Sequence, residues 1–383
     1  MRNKEVLNSF SLSPLILSEE GWKDAREVKK GENVFTLNPN TREIEIQEVE
    51  DIEETVYSGE VYHIKGRNID TVVLANQNFI TIDRYGISAF VQIKDIYNDR
   101  TKYSHSCIPK SGLWKVETPK YFTLKGILNV PKKGNYAIDP EMDSKIDYTT
   151  FVQFLGIWLA EGHTSANDHT RVGISQKKES VKVKIRELLS RFPEEMKWKE
   201  YISKEGTSSF MLLDHRLYRF LRDNFGTCCY DKKINKEFKN LSADLLDEMI
   251  YWFNLGDGRF NTIKQFDKEG NPRNYKVRNI FSTSKQLMLD FNEILLKSGG
   301  CGNMNMHIPK KDFLIKDRII KAENCAPIYF LSIAKTKNIH LDKRFLQIEK
   351  IETQNHTITQ IKVPNKTLYT MQNEKAFWSG SIM

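Results

Sequence analysis

The 383-residue chain has five cysteines, Cys107, Cys228, Cys229, Cys301 and Cys325, and no CxxC pair. They show no disulfide framework, so we read them as reduced and structural, which sets aside a small disulfide-stapled secreted scaffold. No run approaches the ~20 apolar residues of a membrane span, and no membrane partner is expected. The opening MRNKEVLNSF has no hydrophobic signal core, so an intracellular, cytoplasmic address is expected.

Charge is plentiful and uneven. Apolar residues make up 39% and charged residues 28%, as in an ordinary soluble protein long enough for two or more domains. The net charge is +8; residues 151 to 340 hold 32 Lys and Arg against 23 Asp and Glu, or +9, and the remainder sums to −1. That block is expected to favour a polyanion, and nucleic acid is the commonest one inside a cell.

Pattern divides the chain into zones. Residues 9 to 105 alternate short β-type runs (PLIL, VYHIKG, DTVVLANQNFITID) with turns at Asn38-Pro39-Asn40 and Ser58-Gly59. Residues 106 to 148 show no clear period and read as an extended connector and candidate DNA-contact region. A mixed α and β pattern runs over 149 to 340, after which 341 to 383 is β-type again and is expected to complete the first domain.

Within the mixed zone two stretches match: FLGIWLAEG, Phe154 to Gly162, and IYWFNLGDG, Ile250 to Gly258. Each is a predominantly apolar run closed by a small residue, a carboxylate and a glycine. The pattern predicts two helices ending at Glu161 and Asp257, with Gly162 and Gly258 as caps. Small residues at Ala160 and Gly256 would let the helices approach, bringing two acids together at a point where they repel unless a divalent cation bridges them. Trp252 occupies a position that is glycine in the first copy, which predicts a wider helix spacing there. Asn254 sits in an apolar run and needs a hydrogen-bond partner if buried. Strand-like TRVGISQKK and the amphipathic ESVKVKIRELLSRF follow the first stretch, and YKVRNIFSTSK and QLMLDFNEILLKSGG follow the second.

On these residues the block resembles a LAGLIDADG homing endonuclease with both half-domains on one chain, about 149 to 240 and 241 to 340. The resemblance implies two pseudosymmetric αββαββα halves whose sheets form a saddle over DNA. Glu161 and Asp257 fall on the metal-binding acids, with the backbone at Ala160 and Gly256 beside them. The cofactor implied is Mg²⁺, with Mn²⁺ able to substitute. Gln176 and Lys177 match the polar and basic residues near the attacking water, and Lys285 in FSTSK is taken as the second-half counterpart. Arg171, Lys178, Lys197, Lys199, Lys276 and Arg278 on the basic strands are the candidate DNA contacts. The implied partner is double-stranded DNA with a long asymmetric target, bound by a monomer.

The flanks carry a second resemblance. SFSLSPLILSEEGWKDAREVKKGENVFTLN and IKVPNKTLYTMQNEKAFWSG resemble the two ends of an intein Hint domain, an all-β horseshoe built from residues 9–105 and 341–383 around the inserted α+β domain. Ser9 lies where that family places its first nucleophile, and Gln77 of LANQ where it has a histidine. Gly380-Ser381-Ile382 replaces the terminal asparagine and the nucleophile after it. Ser381 has no amide to cyclise and Ile382 no nucleophilic group, so splicing is expected to be lost. The expected function is an intein-derived, site-specific DNA endonuclease that leaves 3′ overhangs. The alternatives are a splicing-competent or mutationally blocked intein, an RNA maturase and an inactive DNA-binding relic.

Overall fold

The structure, a computed structural model, describes residues 13–127, 141–165, 171–266, 272–315, 318–334 and 336–381. The chain divides into two compact units: Met1–Lys115 with Leu295–Met304 and Ala334–Met383, and Val116–Ile294 with Asn305–Ile333. The edges differ from the sequence reading. The 106–148 segment is no separate connector. Cys107–Pro109 pairs with Asn338–His340 in the first unit, while Tyr121–Leu124 pairs with Ser144–Asp147 in the second.

The first unit is β-rich. Its described residues include one α-helix, α1 (Ile93–Asn98). One sheet orders its strands Ile44–Glu48, Asn33–Leu37, Leu15–Ser18, Thr367–Gln372 and Lys375–Gly380. Both ends of the chain therefore build it, with Leu15 opposite Met371 and Ile16 opposite Thr370. A long ribbon joins Asp51–Gly66 to Leu346–Lys362, with an irregularity between Thr353 and His356. Tyr62, Ile64, Phe79, Ile96, Ile108 and Phe377 fill the core between these strands. The alternation in runs such as VYHIKG is the period-2 signature of that arrangement.

The second unit is built on helices α2 (Tyr148–Glu161), α3 (Glu179–Leu189), α4 (His215–Phe225), α5 (Lys236–Lys239), α6 (Ala243–Asp257) and most of α7 (Lys285–Lys297). Its first half reads α2, two strands, α3, two strands, α4, with strand order Gly162–Thr164, Arg171–Gln176, Ser208–Leu213, Trp198–Ile202. The second half repeats that order with Gly258–Phe266, Pro272–Ser282, Ile328–Ala334 and Cys301–His307, the last of which ends in this unit. It departs from the expected αββαββα. Among the described residues no helix follows Ile328–Ala334 to match α4, and an extra hairpin, Phe313–Ile315 with Arg318–Ile320, precedes that strand.

Helices α2 and α6 run side by side in the same direction. Gln153 donates to Glu248 at 2.8 Å, and further along a Cβ added at Gly156 would lie 2.6 Å from the Met249 carbonyl and 2.9 Å from the Trp252 Cβ. At the far end, a Cβ at Gly256 would lie 2.6 Å from that of Ala160. Trp252 therefore does not widen the spacing, because Gly156 gives it room. Below α2, Phe122, Phe151, Phe220 and Phe238 form one aromatic cluster, with Phe122 stacked on Phe151 at 4.0 Å. Each fully buried phenylalanine contributes about 1.5–3 kcal/mol. No described helix is long and apolar enough to cross a membrane.

Gly156→Ala should lower unfolding stability by about 1–3 kcal/mol, since the added methyl meets helix backbone that cannot swing aside. Urea denaturation checks this; unchanged stability would show that the helices do not make this contact.

Candidate active site

Glu161 and Asp257 end α2 and α6, and the helix contact fixes how they meet: a Cβ at Gly256 would touch the Glu161 Cγ at 2.7 Å. The glycines after them do not act as left-handed caps. Gly162 (φ −89°) and Gly258 (φ −124°) are extended and begin strands directly. They are needed for space, because a Cβ at Gly162 would strike the Trp158 ring at 2.3 Å and one at Gly258 the Asn254 Oδ1 at 2.3 Å.

Strand register decides which residues of the two halves correspond. Gly162 lies opposite Ile174 and Gly258 opposite Ile280. Counting on from those isoleucines, Gln176 matches Ser282, Lys177 matches Thr283 and Lys178 matches Ser284. Lys285 is therefore not the counterpart of Lys177; it is the exposed first residue of α7, level with Glu179 at the start of α3. The sequence reading aligned lysines by type, whereas the strands align them one or two residues apart.

Gln176 is buried and donates from Nε2 to Glu161 Oε1 at 3.3 Å, while its Oε1 accepts the backbone N–H groups of Lys177 and Lys178, both at 2.9 Å. One amide thus orients the acid and holds the two residues that precede α3. Lys177 is exposed. The Lys178 Nζ reaches across to the Leu255 and Gly256 carbonyls of α6 at 3.4 and 3.5 Å, so it belongs to the acid site as well as to the DNA contacts expected for it.

Sequence reasoning missed Lys232. Its buried ammonium donates to the carbonyls of Trp158 (3.1 Å), Leu159 (2.8 Å) and Gly162 (3.0 Å), filling the C-terminal end of α2, and lies 5.0 Å from the Trp158 ring. Of these, the Leu159 carbonyl is one that a helix end leaves unpaired, whereas the Trp158 carbonyl also accepts the Gly162 N–H. Lys232 is itself held by Ser284 Oγ, which donates to its carbonyl at 2.6 Å. In the sequence it is one of four lysines in DKKINKEFK, where nothing separates a buried lysine from an exposed one.

The charges interact. Burial, and then the charge of Glu161, push the Asp257 carboxyl up to about 6, although one face of the residue stays open to solvent. Burial also raises Glu161 against the opposing pull of Lys178, Gln176 and Lys232. Burial lowers Lys232 to about 8, opposed by Asp257. Two like-charged carboxylates at one solvent-open point form a hard oxygen set that fits Mg²⁺. Among the described residues no cluster of three or more His, Cys, Asp or Glu forms a metal site. Glu161 and Asp257 are the carboxylates that would hold such an ion. Asn254 is buried with neither side-chain polar atom paired, and the Trp158 Nε1 is likewise unpaired.

The expected DNA contacts separate. Arg171, Lys199 and Tyr201 lie with His163 and Met211 around a hollow of about 380 Å³ on the face of the first sheet. Lys197 is exposed just before strand Trp198–Ile202. Arg278 is turned the other way: it shares strand parity with buried Ile280 and lies 3.9 Å from Asp247 of α6, so it supports the helix side. Lys276 lies opposite Thr262, and its side chain is outside the described residues.

In the first unit, Gln77, Gly380 and Ser381 line one pocket with Ser379, of about 90 Å³. Gln77 Nε2 donates to the Gly380 carbonyl and, at 3.1 Å, to Ser379 Oγ. Ser381 is buried, with its hydroxyl unpaired. Ser9 and Ile382 lie outside the described residues.

No family model matches the chain. It is 22% identical over 412 residues to a DNA-directed RNA polymerase subunit beta C-terminal section of Stigeoclonium helveticum, covering 98% of this chain and 36% of that protein. It is 26% identical over 175 residues to an ATP-dependent Clp protease proteolytic subunit of Chlamydomonas moewusii, covering 44% and 16%. The chain thus spans well under half the length of either curated relative. Structures similar to about half of it are LAGLIDADG homing endonucleases. They include I-DmoI with DNA and calcium (16% identical, 49% of this chain, 84% of that one, TM-score 0.33). I-WcaI on its DNA recognition sequence (10%, 54%, 85%, 0.30) and I-LtrWI on target DNA (14%, 49%, 78%, 0.30) are others.

The raised Asp257 value has a stability consequence. A carboxyl held above its ordinary 3.8 contributes stability that is fully present below that value and lost as pH rises through about 6. The metal-free protein should therefore melt lower at pH 7.5 than at pH 5, and Mg²⁺ should restore the melting temperature mainly at pH 7.5. Asp257→Asn should weaken both effects, leaving the smaller contribution of Glu161; calorimetry showing the same pH and Mg²⁺ dependence in the variant would contradict the pairing.

Proposed function

We propose that the chain is an intein-derived, site-specific double-strand DNA homing endonuclease of the LAGLIDADG type, acting inside cells as a monomer on a long asymmetric target. The observation that carries this reading is the acid pair, Glu161 and Asp257, held at the adjoining ends of two close-packed helices, each followed by a sheet of the same strand order.

Bound Mg²⁺ would supply Lewis-acid stabilisation of the scissile phosphates and an activated water. The protein's own part is positional. Glu161 and Asp257 furnish ligand oxygens, Gln176 sets the Glu161 carboxylate, and Lys232 and Lys178 steady the two helix ends. Lys177, at the rim, polarises the attacking water. Arg171, Lys197 and Lys199 contact phosphates or base edges from the first half and make binding salt-dependent. Cleavage of both strands leaves 3′ overhangs.

Two observations support the intein origin. The chain resembles parts of an RNA polymerase subunit and of a protease subunit, proteins with no common activity, as an inserted element would. Pro14 from the first β zone and Ser381 from the last line the Gln77 pocket together, so the two zones that flank the inserted domain close on one place. Gln77 and Ser381 stand where splicing chemistry requires other groups, and splicing is lost.

Incubation with a randomised duplex library and Mg²⁺, followed by sequencing of the cut ends, should yield one long target with 3′ overhangs. Glu161→Gln and Asp257→Asn should each abolish double-strand cleavage while changing DNA affinity, measured with Ca²⁺, by less than about threefold, since the chemical step needs both acids and phosphate contacts supply the binding. If both variants still cut, the acids are not the site.

A further inference from the structure

The two halves differ most between their last two strands. In the first half, Trp198–Ile202 and Ser208–Leu213 are joined by the short turn 203–207. In the second half the equivalent connection runs from 308 to 327 and contains the hairpin of Phe313–Ile315 and Arg318–Ile320. Leu314 and Ile319 are register partners in that hairpin, so their side chains leave the same face, with Cβ atoms about 5 Å apart. They are 65% and 66% exposed, and Met306 and Ile308 nearby are 50% and 46% exposed.

Four exposed apolar side chains within fourteen residues, two of them paired on one face, are a candidate interaction surface. Its surroundings say for what. Lys310, Lys311, Arg318 and Lys321 are all exposed beside it. Residues 308 to 323 hold five Lys and Arg against two Asp and one Glu, or +2, and Lys321 lies 3.6 Å from Glu323. Asp312 is occupied in accepting the Ala322 N–H at 2.9 Å. A basic ribbon with an apolar pair on one face matches duplex DNA: cations for the phosphates, and a two-residue wedge for a base step. Such wedges unstack the step they enter and bend the duplex.

We propose that the 313–320 hairpin is a DNA-distorting wedge, with Leu314 and Ile319 entering a base step and Lys310, Lys311 and Arg318 holding the flanking backbone. This rests on the DNA-binding reading above and adds to it a surface that the first half lacks.

The wedge can be tested without knowing the target. A closed circular plasmid is relaxed by a topoisomerase that needs no metal, in the presence of the full chain and Ca²⁺, and the topoisomers are resolved. Bound wild-type protein should shift the distribution by at least one linking-number unit. Leu314→Ser with Ile319→Ser, both on exposed positions that leave the fold intact, should lose more than half of that shift. Affinity for mixed-sequence duplex should fall about three- to tenfold with an unchanged salt slope. Lys310→Ala with Lys311→Ala should keep the shift per bound protein and reduce the salt slope by about 1–2. A wild-type protein that binds duplex without shifting topoisomers overturns the wedge alone, as does a double serine variant with the full shift. A serine variant altered only in sedimentation would make the patch a protein interface, which also overturns it. A wild-type protein that binds no duplex sinks the endonuclease reading itself.

Discussion

With no β-carbon at Gly156 or Gly256, helices α2 and α6 approach closely at both of these positions. Everything at the acid site follows from that approach. It sets the ends of the two helices level, so that the residues closing them, Glu161 and Asp257, share one region of space. It also fixes where each following strand begins, because Gly162 and Gly258 leave the helices extended. The packing is complementary and unequal: tryptophan on one helix fills the place that glycine leaves on the other.

Two carboxylates brought together this way oppose each other, and the fold offsets the repulsion from outside the helices. Lys232 fills the end of α2 with a buried ammonium, and Lys178 reaches the end of α6 from the exposed side. Both lysines act on both acids. The helix ends, which carry partial negative charge, are thereby covered by cations, which lowers the local field that the acids experience. A divalent cation would complete the same balance at the carboxylates themselves.

The part of this that was legible in the sequence is the part set by local pattern. The two apolar runs ending in an acid and a glycine gave both helices and both acids, and the alternation at the two chain ends gave strands that do meet in one sheet. Gln176 followed from the family resemblance, and it does contact Glu161. What depended on register was not legible. A shift of one or two residues separates Lys285 from the position of Lys177, and only the pairing of Gly258 with Ile280 reveals it. Arg278 was misread for a related reason, since strand parity, invisible without knowing the buried face, turns it toward Asp247. Lys232 was missed because burial of a lysine is a tertiary property. The 106–148 segment looked irregular because its strands are short and pair with distant or separated partners.

The symmetry of the second unit is therefore one of backbone, and chemistry has departed from it. The first half places Gln176, Lys177 and Lys178 beside its acid, whereas the second half places Ser282, Thr283 and Ser284 at the same positions. Those three serve the backbone instead: Ser282 Oγ accepts the Ser284 N–H at 3.0 Å, Thr283 Oγ1 donates to the Cys229 carbonyl at 3.0 Å, and Ser284 anchors Lys232. The segment between the halves is thus fastened by residues of the second half and, through Lys232, supports the acid of the first. The first half retains polar and basic groups at its acid. The second half supplies the clamp and the hairpin, with Asn254 buried and unpaired in its motif helix. In the proposed nuclease, the Glu161 side would be the better prepared for chemistry and the Asp257 side the more committed to holding the complex together. A pseudosymmetric fold with unequal halves of this kind suits a target whose two half-sites differ.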